Sequence, residues 1–147
     1  MAATRTAEVT WNGSLAEGKG TIDYVTSGSF TRLPVTWASR TETADGRTSP
    51  EELLASAHAS CYAMAFSGRL ARNGTPPASL KVSATVTFDK AENGWKVVAS
   101  ALTVRGTVPG LDAATFAQLA EAAKDGCPIS GALKGNVALS VEATLES

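Results

Sequence analysis

Across residues 48–74, apolar and small side chains recur every three or four positions, with Leu54, Ala57, Cys61, Met64, Ala65 and Gly68 on one stripe. That spacing predicts one long helix. Ser49 is placed to accept from the first free backbone N–H groups, Pro50 fits the first helical position, and Glu52 stands where a capping-box carboxylate reaches back. Asn73-Gly74 supplies the stop. The stripe is mostly small, which lets a helix approach closely whatever it packs on, so a central position is expected. Elsewhere the period is two. Residues 4–11 alternate, Ala7, Val9 and Trp11 against Glu8 and Thr10, and end at Asn12-Gly13. Residues 20–25 and 30–38 read as further strands around Thr26-Ser27-Gly28, and Pro34 marks the second as an edge strand or a bulge. Residues 40–47 read as a polar loop.

Beyond the long helix, Val82, Ala84, Val86 and Phe88 alternate into a hairpin turn over residues 89–94, and residues 95–107 form the return strand. Asp112 is placed to cap a second helix through Lys124, with apolar positions Ala113, Phe116, Leu119, Ala120 and Ala123. A short helical piece opens at Cys127-Pro128, and Val137, Leu139, Val141, Ala143 and Leu145 alternate as a last strand. The order is strands, helix, two strands, helix, strand, an α+β plan with mainly antiparallel pairing and helices against the sheet. Exposed strand edges and the small-residue helix point to a homodimer.

Composition narrows the function. The chain has 147 residues, 44% hydrophobic and 18% charged, the balance of one globular domain spanning residues 1–147. Lys+Arg 13 against Asp+Glu 14, with no basic run, disfavours nucleic acid as a partner. No apolar run approaches the roughly 20 residues that cross a bilayer, and the first residues lack the apolar core of a secretory signal. No membrane association and a cytoplasmic location are therefore expected. In that compartment two cysteines are more often buried spectators or reactive groups than a structural disulfide.

Cys61 lies about a dozen residues into its helix, beyond the N-terminal dipole, and needs a nearby cation to ionise readily. Arg40 is a candidate, at the end of the strand before the polar loop, with Glu51 able to hold its guanidinium by bidentate hydrogen bonds. Glu51 precedes Cys61 by ~15 Å of helical rise, so the two share a site only through a second subunit or the long arm of an arginine. Glu51 is alternatively a first-turn carboxylate favoured by the helix dipole. Cys127 stands where a helix begins, beside free N–H groups that favour a thiolate, and is the more acidic thiol on local grounds. Either cysteine taken singly reads first as a small buried hydrophobe, the commonest fate of a free cysteine, while together they allow a redox pair. His58, the only histidine, precedes Cys61 by three residues. It reads as a packed and hydrogen-bonded side chain, then as a base for Cys61, and last as a metal ligand with the two cysteines, since the spacing matches no standard zinc pattern.

The run Thr48-Ser-Pro-Glu-Glu-Leu-Leu-Ala-Ser-Ala-His-Ala-Ser-Cys61, followed far downstream by Cys127-Pro128-Ile129-Ser130, resembles the OsmC/Ohr family of thiol-dependent peroxidases. Gly18-Lys19-Gly20-Thr21, the Asn93-Gly94 hairpin, Val108-Pro109-Gly110-Leu111-Asp112 and the closing strand fall in the family's order, so the likeness covers nearly the whole chain. The resemblance implies an OsmC-like fold and an intertwined homodimer with active sites at its interface. It also implies reduction of organic hydroperoxides and hydrogen peroxide without metal, flavin or other cofactor. By motif, Cys61 matches the peroxidatic cysteine, Cys127 the resolving one, Glu51 the carboxylate of the Pro-Glu-Glu-Leu motif, and Arg40 the arginine before it, with Arg32 as the fallback. The Ohr branch carries its arginine in the first glycine-rich turn, where this chain has Lys19, so the chain is similar to the OsmC branch. The implied cycle takes Cys61 to a sulfenic acid, then to a Cys61–Cys127 disulfide that an external dithiol reduces. A non-catalytic dimeric module binding a small hydrophobic ligand is the alternative.

Overall fold

The computed structural model describes residues 1–146 and divides the chain into two compact units, Met1–Leu53 and Leu54–Ser147. The first unit is built on a three-stranded antiparallel sheet, β1 (Ala7–Asn12), β2 (Lys19–Val25) and β3 (Thr31–Val35), in the order β1-β2-β3. Pro34 lies on β3, an edge strand, where a residue without an N–H is tolerated. The strand expected over residues 30–38 stops at Val35, because Thr36 and Ser39 form a reciprocal capping box that turns the chain into a short helix, α1 (Trp37–Thr41). Arg40 is therefore in the last turn of a helix and not at the end of a strand. The Ser39 hydroxyl also donates to the Thr48 carbonyl at 3.1 Å, and the Thr48 N–H donates to the Pro34 carbonyl at 3.1 Å. These two bonds fix the start of the long helix α2 (Pro50–Arg72) against α1 and β3.

The second unit carries the rest of α2, the hairpin β4 (Ser79–Ala91) and β5 (Gly94–Thr107), the helices α3 (Ala113–Gly126) and α4 (Pro128–Leu133), and β6 (Ala138–Leu145). β4 and β5 pair antiparallel, whereas β6 returns parallel to β5 after the α3–α4 crossover. Asp112 caps α3 as its position predicts, its carboxylate accepting from the Thr115 N–H at 2.8 Å.

The stripe of α2 that faces the core differs from the one read in the sequence. His58, Tyr62, Phe66 and Leu70, spaced by four, are completely buried, whereas Met64 is 71% exposed. Large side chains fill the space against the sheet and α3; alanine, cysteine and glycine at 57, 61, 65 and 68 are too short to do so. Phe66 packs on Tyr62 and Phe116 with ring centroids 5.7 and 5.1 Å apart, and the Tyr62 hydroxyl donates to the Ala120 carbonyl at 2.9 Å. Along β5 the residues facing this core are Ser100, Leu102, Val104 and Gly106.

Gly106 is required by packing. A Cβ there would meet Phe116 Cζ at 2.7 Å and Leu80 Cδ2 at 3.0 Å, and the Phe116 ring is itself fully buried. Gly106→Ala is expected to destabilise the protein by about 1–3 kcal/mol. A lowered urea midpoint with unchanged slope checks this; an unchanged midpoint contradicts the packing described.

Candidate functional site

The two cysteines, remote in sequence, meet in the second unit: Cys127 Sγ lies 3.1 Å from Cys61 Sγ, and both are free thiols. Cys61 projects from the middle of α2. Cys127 is the joint between α3 and α4, serving as the last cap of one helix and the first of the other, with Pro128 starting α4. Cys127 is fully buried, while Cys61 opens on a cavity of about 680 Å³. The small stripe of α2, Ala57, Cys61, Met64, Ala65 and Gly68, forms one wall of that cavity, and Pro128 and Ile129 stand opposite. The sequence stripe is thus real, but it faces this cavity.

The two thiols are shifted in opposite directions. Burial pushes the Cys127 thiol up, yet the polar groups around its sulfur, the Ser130 and Ile129 backbone N–H groups, the Cys61 thiol and the Ser130 hydroxyl, favour the charged form and together bring it below the ordinary range. Cys61 moves the other way. Burial raises it, the Ile129 N–H partly offsets this, and the hydrogen bond to Cys127 and the negative charge there raise it further. Cys127 is therefore the more acidic of the two thiols. This is the order that the local sequence predicts for the two thiols.

His58 is completely buried, and its ring nitrogens are both engaged: Nδ1 lies 2.6 Å from Ser100 Oγ and Nε2 lies 2.8 Å from Ser130 Oγ. Burial lowers its pKa, so the ring is neutral. With serine hydroxyls on both nitrogens, the imidazole is a hydrogen-bonded core group and turns neither nitrogen to a sulfur. The described residues contain no cluster of three or more His, Cys, Asp or Glu side chains suited to a metal ion. Ser100 was not singled out by the sequence, although a serine in phase with Leu102 and Val104 on β5 is a buried polar group that requires a partner.

Within the first unit, Arg40 and Glu51 form the ion pair anticipated from their types. Arg40 Nε donates to Glu51 Oε1 and Oε2 at 3.0 and 3.1 Å, and Nη2 donates to Oε1 at 2.8 Å. Glu51 is nearly buried, Arg40 is 29% exposed, and the Arg40 guanidinium also lies 5.8 Å from the Trp37 ring centre. Arg32, the fallback, is an exposed β3 residue in the left-handed region, with φ 56°. Lys19 begins β2 and is exposed.

Comparison with known proteins locates this arrangement. The family model described as OsmC-like protein matches residues 43–142. The chain belongs to the OsmC-like family. It is 37% identical over 139 residues to the Peroxiredoxin OsmC of Escherichia coli strain K12, covering 95% of this chain and 96% of that one. The organic hydroperoxide resistance protein of Xanthomonas axonopodis pv. citri is 30% identical over 91 residues, 61% of this chain and 62% of that protein. Among solved structures, the organic hydroperoxide resistance protein OhrB of Bacillus subtilis matches with a TM-score of 0.73 at 26% identity, covering 95% of this chain and 98% of that one. The α+β OsmC-like fold read from the sequence is thereby borne out, with one parallel strand pair in an otherwise antiparallel arrangement. Among the described residues no helix is long and apolar enough to cross a membrane.

Because two thiols 3.1 Å apart titrate as a coupled pair, absorbance at 240 nm of the reduced protein should rise in two steps, one below and one above the ordinary thiol pKa of about 8.5. Cys127→Ser should leave a single step, lower than the second step of the parent, since the charge that held the Cys61 proton is gone. A single step near 8.5 accounting for both thiols would falsify the assignment.

Proposed function

We propose that this chain is a thiol-dependent peroxidase that reduces organic hydroperoxides and hydrogen peroxide, with Cys61 as the attacking sulfur and Cys127 as the resolving one. The observation carrying this reading is the sulfur pair itself: one sulfur on a mostly apolar cavity, its partner 3.1 Å behind it and buried. The non-catalytic reading, with both cysteines inert, leaves that contact and the opposite shifts of the two thiols without a purpose.

The chemistry balances as follows. The shared proton passes from Cys61 to Cys127, and the Cys61 thiolate attacks the distal peroxide oxygen. The O–O bond breaks, Cys61 becomes a sulfenic acid, and the departing alkoxide or hydroxide takes a proton from water. The Cys127 sulfur then displaces the sulfenic oxygen, its proton leaves with that oxygen as water, and a Cys61–Cys127 disulfide forms. An external dithiol reduces it by exchange. The first proton shift runs against the resting order of the two thiols, so a cation beside Cys61 is needed. Arg40, oriented by Glu51, is the group we assign to it, supplied in an intertwined homodimer whose sites lie at the interface. The working unit is then a cytoplasmic dimer of single OsmC-like domains spanning residues 1–147, with no cofactor.

Peroxide consumption with a dithiol tests the roles. Cys61→Ser should abolish turnover, since serine supplies no thiolate at neutral pH, whereas Cys127→Ser should consume about one peroxide per site and stall or over-oxidise. If the first variant turns over or the second consumes none, the roles are wrong.

Arg40→Met should raise the Cys61 pKa further and slow peroxide reduction by on the order of a hundredfold, with Arg40→Lys recovering part and Glu51→Gln losing less. A mixed dimer of a Cys61→Ser chain with a Glu51→Gln chain identifies the donor subunit. If Glu51 serves the neighbouring Cys61, the one working site keeps near-full activity; a rate equal to that of the Glu51→Gln homodimer shows that the carboxylate serves its own chain.

A further inference from the structure

The cavity on which Cys61 opens is walled mostly by apolar and small side chains, yet two positive charges enter it. Of the residues that line it only Arg69 and Arg72 are charged, both in the last turn of α2. The proposed cycle uses neither. Among the described residues neither guanidinium has a carboxylate or hydrogen-bond partner, whereas Arg40, Arg47 and Arg105 are each paired with an acid. On α3, Glu121 is taken up by Lys124 at 2.9 Å, and Asp125 pairs with neither arginine. Arg69 is half-buried, so its charge is partly withdrawn from water with no anion supplied in return.

The helix sets the spacing of these charges from the sulfur. Arg72 follows Cys61 by eleven positions, about three turns, so the two stand nearly in line on α2 with Ala65 and Gly68 between them. Long side chains on a helix lean back toward its N-terminus, and Arg72 Nη1 lies 3.4 Å from where a Gly68 Cβ would stand. Its charge is therefore over Gly68, ~10 Å of helical rise from Cys61. Arg69 Nη2 lies 3.5 Å from where a Gly126 Cβ would stand, beside the end of α3. Two glycines thus leave the room that two guanidinium groups occupy. An anion held by this pair is at most ~10 Å from the sulfur along the helix, the reach of about eight bonds of an extended chain.

Resting on the peroxidase reading, we propose that Arg69 and Arg72 are specificity-determining residues that bind the carboxylate of an anionic substrate, so that the hydroperoxides this chain prefers are those of long-chain carboxylic acids. The apolar chain of such a molecule suits the walls, its carboxylate suits the planar forks of the arginines, and its –OOH group reaches Cys61. The carboxylate takes no part in the chemistry. The O–O bond breaks as in the proposed cycle, and the product is the corresponding hydroxy acid.

Turnover of linoleic acid hydroperoxide and of its methyl ester, each with a dithiol and in the same neutral detergent, tests this on the full-length protein. The two substrates differ only in the charge. The parent should prefer the acid by roughly tenfold in kcat/KM, the effect of one charge-assisted hydrogen bond in a partly open site, and the preference should fade at high salt. The variant carrying Arg69→Gln and Arg72→Gln should bring the ratio of acid to ester near one, with the acid taking the loss, and lysine at both positions should restore part of it. Equal rates for acid and ester in the parent overturn the proposal, as does a double variant that keeps the parent's ratio or loses both substrates alike. A double variant whose mass by light scattering differs from the parent's would show the arginines holding a second subunit, which also overturns it.

A second measurement needs no peroxide. Calorimetry should show linoleate binding to Cys61→Ser protein roughly tenfold more tightly than to the same protein with both arginines changed to glutamine, and equal affinities overturn the proposal. A parent that reduces no peroxide, cumene hydroperoxide included, yet binds linoleate through the two arginines would remove the peroxidase reading and leave the carboxylate site standing. A parent that reduces cumene hydroperoxide but treats acid and ester alike would do the reverse.

Discussion

Two sulfurs 3.1 Å apart in a water-poor interior do not both hold a negative charge, because the second ionisation meets the first across a short, weakly screened gap. The two thiols therefore lose their protons one after the other, and the groups around them decide which goes first. Three elements meet to enforce the contact. α2 supplies Cys61, the α3–α4 joint supplies Cys127, and Tyr62, Phe66 and Phe116 lock the two helices through their rings and the Tyr62–Ala120 hydrogen bond. The parallel return of β6 to β5 holds that joint over the sheet. Gly106 allows Phe116 to come down on β5 without a side chain intervening.

The placement of charge in the two units follows different rules. Around the sulfurs, the stabilising groups are neutral donors, the N–H groups of Ile129 and Ser130 and the serine hydroxyl. In the first unit, Arg40 and Glu51 use full charges, with the carboxylate covered and the guanidinium partly open to water and to the Trp37 face. A planar, bidentate partner leaves the arginine with a defined direction, which a flexible lysine would not have.

Much of the fold was legible in the sequence because its signals are local. Ser49-Pro50 marks the start of α2, Asp112 the start of α3, and period-two alternation marks β4 and β6. The short helix α1 was missed because its Thr36–Ser39 capping box follows a β-like run, and the strand reading extended through it. The core face of α2 was misplaced because hydropathy favours Ala, Cys and Met over His and Tyr. Burial instead follows the volume needed to fill the interior and the partners available to polar tips, and His58 and Tyr62 have both. Of the candidate site, the Arg40–Glu51 pairing and the acidity of Cys127 follow from residue type and helix position. The Cys61–Cys127 contact needed the whole second unit, and the likeness of motifs is what pointed to it in advance. Ser100 became visible only once β5 was folded against α2.

The cysteines are 66 residues apart along the chain, and the segment between them contains β4, β5 and α3. A bond between them requires the sulfurs to approach by only about 1 Å, to the ~2.05 Å of a disulfide. The native fold would hardly register that step, but the unfolded chain would, because a loop of this length closed by a covalent link forfeits about 4 kcal/mol of conformational freedom at room temperature in the chain-entropy model. Each oxidation would thus tether the sheet's central hairpin to both helices, and each reduction would release it. A chain so bonded would resist conditions that unfold the reduced one.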